Sequence, residues 1–429
     1  MTTEPGLAAS RERHERLTQL NVTRTLRRYQ REWFKGLREE VREGKPFVVT
    51  NANAPHELLE ALDIPFMTNV WYSGLIGAKQ QSGYYSELLE RAGYHSGLSR
   101  YGSLLLGVAM DEGGEDPPWG GYPAPAMVIA SPPERGAEEL ARFFGVPYIA
   151  IPRPTVRAPQ AAWWDQQWNW EDGEGAERVD YMEGRFRELI SRLEELAGKK
   201  LDIGRLAQVL AKANEQAEYF RQVRHNIATA PKLPARLSEV MSQVMGIQWH
   251  RGTDWAVNQA REFAAEVQAR TDAGQWVCPN ERYRLMYLGA GLWQQLDFFA
   301  SFEESHGVVF ARSNYLSIAC DAYPRYGPDP VRALAARYVT FNDRLHLPPW
   351  AGSWAVWEAY THRLSGGVQL DSGLGQKFIT RALETEGLPV LQFPVDAVDT
   401  RSWNEGKMHA LVTEFIERRL RAAPGRPEL

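Results

Sequence analysis

Two separated sets of short, largely apolar runs constrain this chain more than any other feature. The first set is KPFVVTN (45–51), AMVIA (126–130) and VPYIAIPRP (146–154). The second is ERYRLMYLGAG (281–291), GVVFAR (307–312), GGVQLD (366–371) and LPVLQFPVD (388–396). Largely apolar runs with no strict polar alternation suit strands covered on both faces, which is the situation in parallel sheets. Helix signals stand between them. Pro55, His56 and Glu57 fit a first helical turn with Asn53 as its cap, SPPERGAEELARFFG builds a second helix, and LWQQLDFFASFEESHG a third. Strand and helix in alternation mean βαβ units, so two α/β parallel-sheet domains are expected.

Between the two sets the period changes to that of a helix. Met182, Phe186, Leu189, Leu193 and Leu196 form one stripe closed by Gly198, and Leu206, Leu210, Ala213, Ala217 and Phe220 begin another. PKLPARLSEVM and Trp255–Arg270 supply two more helices, and TRSWNEGKMHALVTEFIERRL closes the chain as a helix. The resulting division is an N-terminal helical segment at 1–44, a first α/β domain at 45–175, a helical segment at 176–275 and a second α/β domain at 276–429.

Composition narrows the function classes. Of 429 residues, 44% are hydrophobic and 24% charged, as in soluble globular proteins, and no run approaches the roughly 20 apolar residues that span a bilayer. MTTEPGLAASRERHERLTQLN has no apolar signal-peptide core, so a cytoplasmic location is expected. A net charge of −5 gives no overall drive toward nucleic acid, and the basic run RTLRRYQR reads as a solvated helix face. The aromatic cluster WWDQQWNWED (163–172) suits a subunit interface or a stacking surface for a planar ligand. With only Cys278 and Cys320, no four-cysteine iron–sulfur or zinc site can be built from this chain alone.

Ligands of open parallel sheets bind beyond the carboxyl ends of the strands. That rule nominates the loops TNANAP, ASPPE, GAG, ARSNY and DSGLGQ, with Asn53 in the first and Gly289 and Gly291 in the third as candidate substrate-binding positions. The GAG turn completes neither a Walker A loop nor a GxGxxG fingerprint. The stretch KQQSGYYSELLERAGYHSGLSRYGSLLLG (79–107) is helical in its middle and breaks at Gly93–Gly97. Lys79, Gln80, Gln81, Ser82, Tyr84 and Tyr94 crowd polar groups around it, which suits a polar pocket and equally suits a helix at a domain seam. His95 is the acid/base candidate there, since an imidazole titrates near neutrality, while a hydrogen-bonded, partly buried histidine fits the same position.

Lys79–Gly83 followed by Ala92, Gly93, His95 and Gly107 resembles the 2-hydroxyacyl-CoA dehydratase/benzoyl-CoA reductase family, within it the B-type subunit of ATP-dependent benzoyl-CoA reductases. LEELAGKKLDIGRLAQVLAKANE, NERYRLMYLGAGLW, GVVFA after FEESHG, and EGLPVLQFPVDAVDTRSWNEGKMHALVTEFI extend the resemblance over most of the chain from Phe47. It implies paired subunits, each with two flavodoxin-like domains and a helical part, binding an iron–sulfur cluster and an acyl-CoA at the seam. The family's cluster cysteines would fall at Ser99, within Ser131–Pro133 and within Asp371–Gln376, and none of these is cysteine. The resemblance therefore implies a cluster-free subunit of a heteromeric dehydratase or aryl-CoA reductase. Such a subunit would shape the pocket for a coenzyme A thioester while a paralogous partner carries the cluster. Two alternatives stay open: a redox-neutral acyl-CoA lyase or hydratase, and a non-catalytic scaffold. Under the first two, Lys79, Gln80, Gln81, Ser82, Asn53, Gly289 and Gly291 bind substrate, and His95, Ser99 and Tyr94 are the catalytic candidates.

Overall fold

The computed structural model describes residues 19–94, 98–152, 176–315, 325–340, 350–370 and 377–422. His95, the 163–172 aromatic cluster, Cys320 and the 371–376 loop lie outside the described residues. Among those described, no helix is long and apolar enough to cross a membrane.

The chain opens with α1 (Asn21–Arg42), whose cap residue Leu20 has no side-chain oxygen to offer. Its free amides are satisfied from far along the sequence. Glu239 accepts from Gln19 and Leu20, and Glu266 accepts from Asn21 and Val22, at 2.7–3.0 Å.

The first sheet follows: β1 (Val48–Thr50), α2 (His56–Ala61), β2 (Phe66–Thr68), α3 (Asn69–Ala78), α4 (Ser82–Arg91), α5 (Arg100–Ala109), β3 (Met127–Ala130), α6 (Arg135–Phe144) and β4 (Tyr148–Ala150). All pairings are parallel in the order β2-β1-β3-β4, with Val48 opposite both Phe66 and Met127. The expected cap of α2 is corrected. Pro55 occupies the cap position, and Asn53 lies in the turn before it, where the Ala54 amide bonds to the Asn51 carbonyl. The three-residue edge strand β2 is too short to show a period of its own. Both faces of the sheet are covered, which explains its apolar runs. Val48, Met127 and Ile129 pack into one core, and Val49, Val128 and Ala130 into another.

Next come α7 (Ala176–Ala197), α8 (Ile203–Thr229), α9 (Leu237–Gln248) and α10 (Asp254–Asp272). Asp202 caps α8 by accepting from Gly204 and Arg205, and Thr253 caps α10. The second sheet is built from β5 (Tyr283–Leu288), α11 (Ser301–His306), β6 (Val308–Ser313), α12 (Pro330–Thr340), α13 (Trp350–Thr361), β7 (Gly366–Leu370), α14 (Lys377–Thr385), β8 (Val390–Phe393) and α15 (Glu405–Glu414). Its order, β6-β5-β7-β8, repeats that of the first, so the two flavodoxin-like parallel sheets share one topology.

Two expected helices are shorter than their patterns. Residues 292–307 form two 3₁₀ turns before α11, because the Trp293 amide bonds to the Gly291 and Ala397 carbonyls and starts no regular ladder. The closing helix begins at the Asn404 cap and not at Thr400, where Asp399 caps a separate single turn.

Candidate active site at the edge of the first sheet

In a sheet of order 2-1-3-4 the connections leave β1 and β3 toward opposite faces, opening a crevice beyond their carboxyl ends. The residues that follow these strands are tied together there. Asn51, after β1, accepts from the Ser131 amide at 3.0 Å and donates to the Pro132 carbonyl at 3.2 Å. Asn69, the first residue of α3, donates from one amide nitrogen to the Gly102 carbonyl at 3.2 Å and to Glu134 Oε1 at 3.0 Å.

Glu134 stands at the cap position of α6, yet its carboxyl does not cap that helix. The side chain turns across the crevice toward the first turn of α5. Gly102 makes the room, since a Cβ there would lie 1.9 Å from Glu134 Oε1. Gly136 is equally confined, and a Cβ on it would stand 2.9 Å from the Gly102 carbonyl oxygen, so the first turns of α5 and α6 meet glycine to glycine. Glu134 is half-buried, with exposed Ser99 and Pro133 at the rim. Desolvation pushes its carboxyl up to about 7, and the Asn69 and Asn51 amides pull only partly the other way. A carboxyl in this state takes and releases a proton near neutral pH.

The second domain meets the first at α5. Tyr101, in the first turn of α5, accepts from Trp293 Nε1 at 2.9 Å, and Trp293 meets the Tyr315 ring edge-on at a centroid distance of 5.9 Å. The Trp293 ring also covers Gly291, where a Cβ would come within 2.6 Å of it. Gly289 donates its amide to Asn314 Oδ1 at 2.9 Å, so that amide is engaged within the protein.

The expected site residues fall into separate places. Ser99 is the exposed cap residue of α5, and its carbonyl accepts from Ser103 Oγ and the Gly102 amide. Tyr94 donates to Glu139 Oε2 on α6 at 3.1 Å, and burial followed by this carboxylate raises its phenol. Both therefore border the α5–α6 corner. Lys79, Gln80, Gln81 and Ser82 lie at the other end of α3, about 15 Å from Asn69 at 1.5 Å per residue. Gln80 donates to the Gln294 carbonyl at 2.8 Å, Ser82 accepts from the Thr400 amide at 3.2 Å, and Gln81 donates to the Asp116 carbonyl at 2.8 Å. Gln80 and Ser82 thus join the first domain to the second, while Gln81 is bonded within the first. Half-buried Asn53 stays in the turn ahead of α2.

Sequence reasoning reached the ASPPE loop without singling out Glu134. It reached the TNANAP loop in the same way without singling out Asn51, and it missed Asn69, Tyr101 and Trp293. The available signal was polar residues placed directly after the apolar strands.

Comparison with known proteins adds the family context. Residues 51–350 match the family described as 2-hydroxyglutaryl-CoA dehydratase, D-component. The (R)-2-hydroxyisocaproyl-CoA dehydratase alpha subunit of Clostridioides difficile is 21% identical over 390 residues, covering 87% of this chain and 90% of that protein. The (R)-phenyllactyl-CoA dehydratase alpha subunit of Clostridium sporogenes is 21% identical over 376 residues, covering 83% and 85%. The (R)-2-hydroxyglutaryl-CoA dehydratase subunit alpha of Acidaminococcus fermentans is 23% identical over 297 residues, covering 65% and 56%.

Proposed function

This chain belongs to the 2-hydroxyglutaryl-CoA dehydratase D-component family, and from that premise we propose that it is a subunit of a heteromeric acyl-CoA-processing enzyme, shaping the acyl-CoA pocket without holding an iron–sulfur cluster itself. The observation that carries the reading is the donor set at the family's cluster positions. Ser99 offers a solvent-exposed hydroxyl, Ser131 is buried with its amide held by Asn51, and Pro133 has no donor atom. Hydroxyls bind iron poorly beside thiolates, so these residues do not fit a cluster. The iron-dependent step is assigned to a cysteine-bearing partner subunit.

What this chain contributes is the pocket. The carboxyl edge of the first sheet carries Asn51, Asn69 and Glu134, and on this reading the acyl-CoA lies beyond that edge.

Iron and acid-labile sulfide, measured on protein purified without air together with its co-purifying subunits, test the reading. Iron in proportion to a second, cysteine-bearing polypeptide is expected, and iron held by this chain alone would overturn it. A redox-neutral lyase or hydratase is the second reading, and the half-buried Glu134 carboxyl favours it. An iron-free single species that turns over a hydroxyacyl-CoA would select it.

A further inference from the structure

In the second domain α13 and α14 pack side by side, closest where a Cβ on Gly352 would stand 3.0 Å from that of Ala382, and an open groove of about 570 Å³ runs between them. A helix laid over a sheet needs one apolar stripe. In α13 that stripe is Ala351, Trp354, Ala355 and Ala359, all buried. The opposite side of the same helix is apolar as well, since Val356 and Trp357 line the groove and Tyr360 beside them is 43% exposed. Likewise α14 buries Ile379 and Leu383 and turns Phe378, 54% exposed, toward the groove. An apolar patch of this kind, gathered on one face, marks a surface that another molecule covers. The charges around it indicate which. Lys377 and Arg381 lie in the first half of α14 and, among the described residues, neither makes an ion pair. Glu384 is paired with Arg419 at 2.9 Å, but Glu386, just beyond the end of α14, accepts a hydrogen bond from the Tyr360 hydroxyl at 2.9 Å and has no cationic partner among the described residues. The groove is thus basic at one end and acidic at the other.

We propose that the α13–α14 groove is the contact between two copies of this chain, related by a twofold axis with α14 antiparallel to its counterpart. A twofold contact repeats each interaction, so a surface serves only if it complements itself. This one does. Phe378 of each copy enters the groove of the other over Gly352 and Ala382, whose small side chains leave room for it, and Trp357 and Val356 close around the ring. Arg381 and Lys377 of one copy then stand against Glu386 of the other, and the reverse pair forms at the far end. Parallel stacking would set Arg381 against Arg381, so the charge order selects the antiparallel arrangement. The assembly then holds two copies of this chain whether or not each also binds a cluster-bearing subunit through another face.

Native mass spectrometry and light scattering on the full chain, with its co-purifying subunits, count the copies directly. Two copies of this chain in each particle are expected. Arg381→Glu and Glu386→Arg each bring like charges together at both ends of the contact, and either should weaken the pairing about tenfold at low salt. Mixed in equal amounts, the two variants should pair with each other as the wild type does, because opposite charges meet again, and the double variant Arg381→Glu/Glu386→Arg should pair with itself. Phe378→Glu should leave single copies. All three side chains are exposed, so circular dichroism melts of the isolated copies should be unchanged. A single copy in each wild-type particle overturns the proposal, as does pairing that none of these variants weakens. Failure of the mixed variants to pair overturns the antiparallel twofold arrangement. Loss of a different polypeptide from Phe378→Glu, with no change in the number of copies, overturns the second copy as occupant and gives the groove to that polypeptide.

Discussion

Glu57 and Glu134 both project near the carboxyl edge of the first sheet, and their surroundings drive them in opposite directions. Glu57 is fully buried, and although burial alone would raise its carboxyl, Arg251, Arg325 and Arg337 hold it well below the usual carboxylate range. Its folded value lies under its unfolded one, so its stabilisation is present at neutral pH and is lost as pH falls below the ordinary glutamate range. Glu57→Gln leaves buried guanidinium charge without its counterion, and urea unfolding at pH 7 should show a loss of about 3–5 kcal/mol. Glu134 has the reverse sign. Its folded value, about 7, stands above the unfolded 4.5, so folding favours the protonated form and ionisation weakens the fold as pH rises through 7. Relative to wild type, Glu134→Gln should therefore be more stable at pH 8 than at pH 5. A difference of roughly 1–2 kcal/mol in urea midpoints is expected for a partly solvated group. An unchanged difference between the two pH values would contradict the assigned environment.

At the scale of elements, the meeting of α5 and α6 is the most confined packing beside the site. Gly136→Ala would drive a Cβ to 2.9 Å from a backbone oxygen, which cannot swing aside as a side chain can. The two first turns must part, at about 1–3 kcal/mol, and circular dichroism melts should register the loss while far-UV helicity persists. Much of this level is legible in the sequence. β1, β3, β5, β6, β7 and β8 are predominantly apolar runs, and α7 and α8 repeat at helical spacing because one stripe of each is buried. What escaped was set by distant partners. Residues 292–307 have a helix-like composition, but Trp293 and Gln294 are bonded to the segment around Asp396 and Ala397, which breaks the ladder. The helices α12, α13 and α14 received no reading from the pattern. At the site, KQQS stood out as polar, but the partners of Gln80 and Ser82 lie more than two hundred residues away at Gln294 and Thr400. Glu134 acquires its character from burial beside Asn69, Asn51 and Gly102, which no local spacing connects to it.

At the scale of the molecule, two sheets of one topology are joined by a polar seam. Arg401 binds Glu90 through two contacts of 2.9 Å and also Asp399, adding to the Gln80–Gln294 and Ser82–Thr400 links. Removing Arg401 and Gln80 together should loosen the domains from each other before either unfolds. Scanning calorimetry of the Arg401→Ala/Gln80→Ala protein should show a broadened or divided transition in place of a single cooperative one. An unaltered single peak would place the coupling elsewhere, in the apolar core shared by both sheets. The capping of α1 bears on how such a chain is made. Its terminal amides wait for Glu239 and Glu266, which lie some 220 to 245 residues further on. On a ribosome that adds roughly 5–20 residues each second, α1 stays without those caps for about ten seconds or longer. This helix is thus made well before the residues that secure its end.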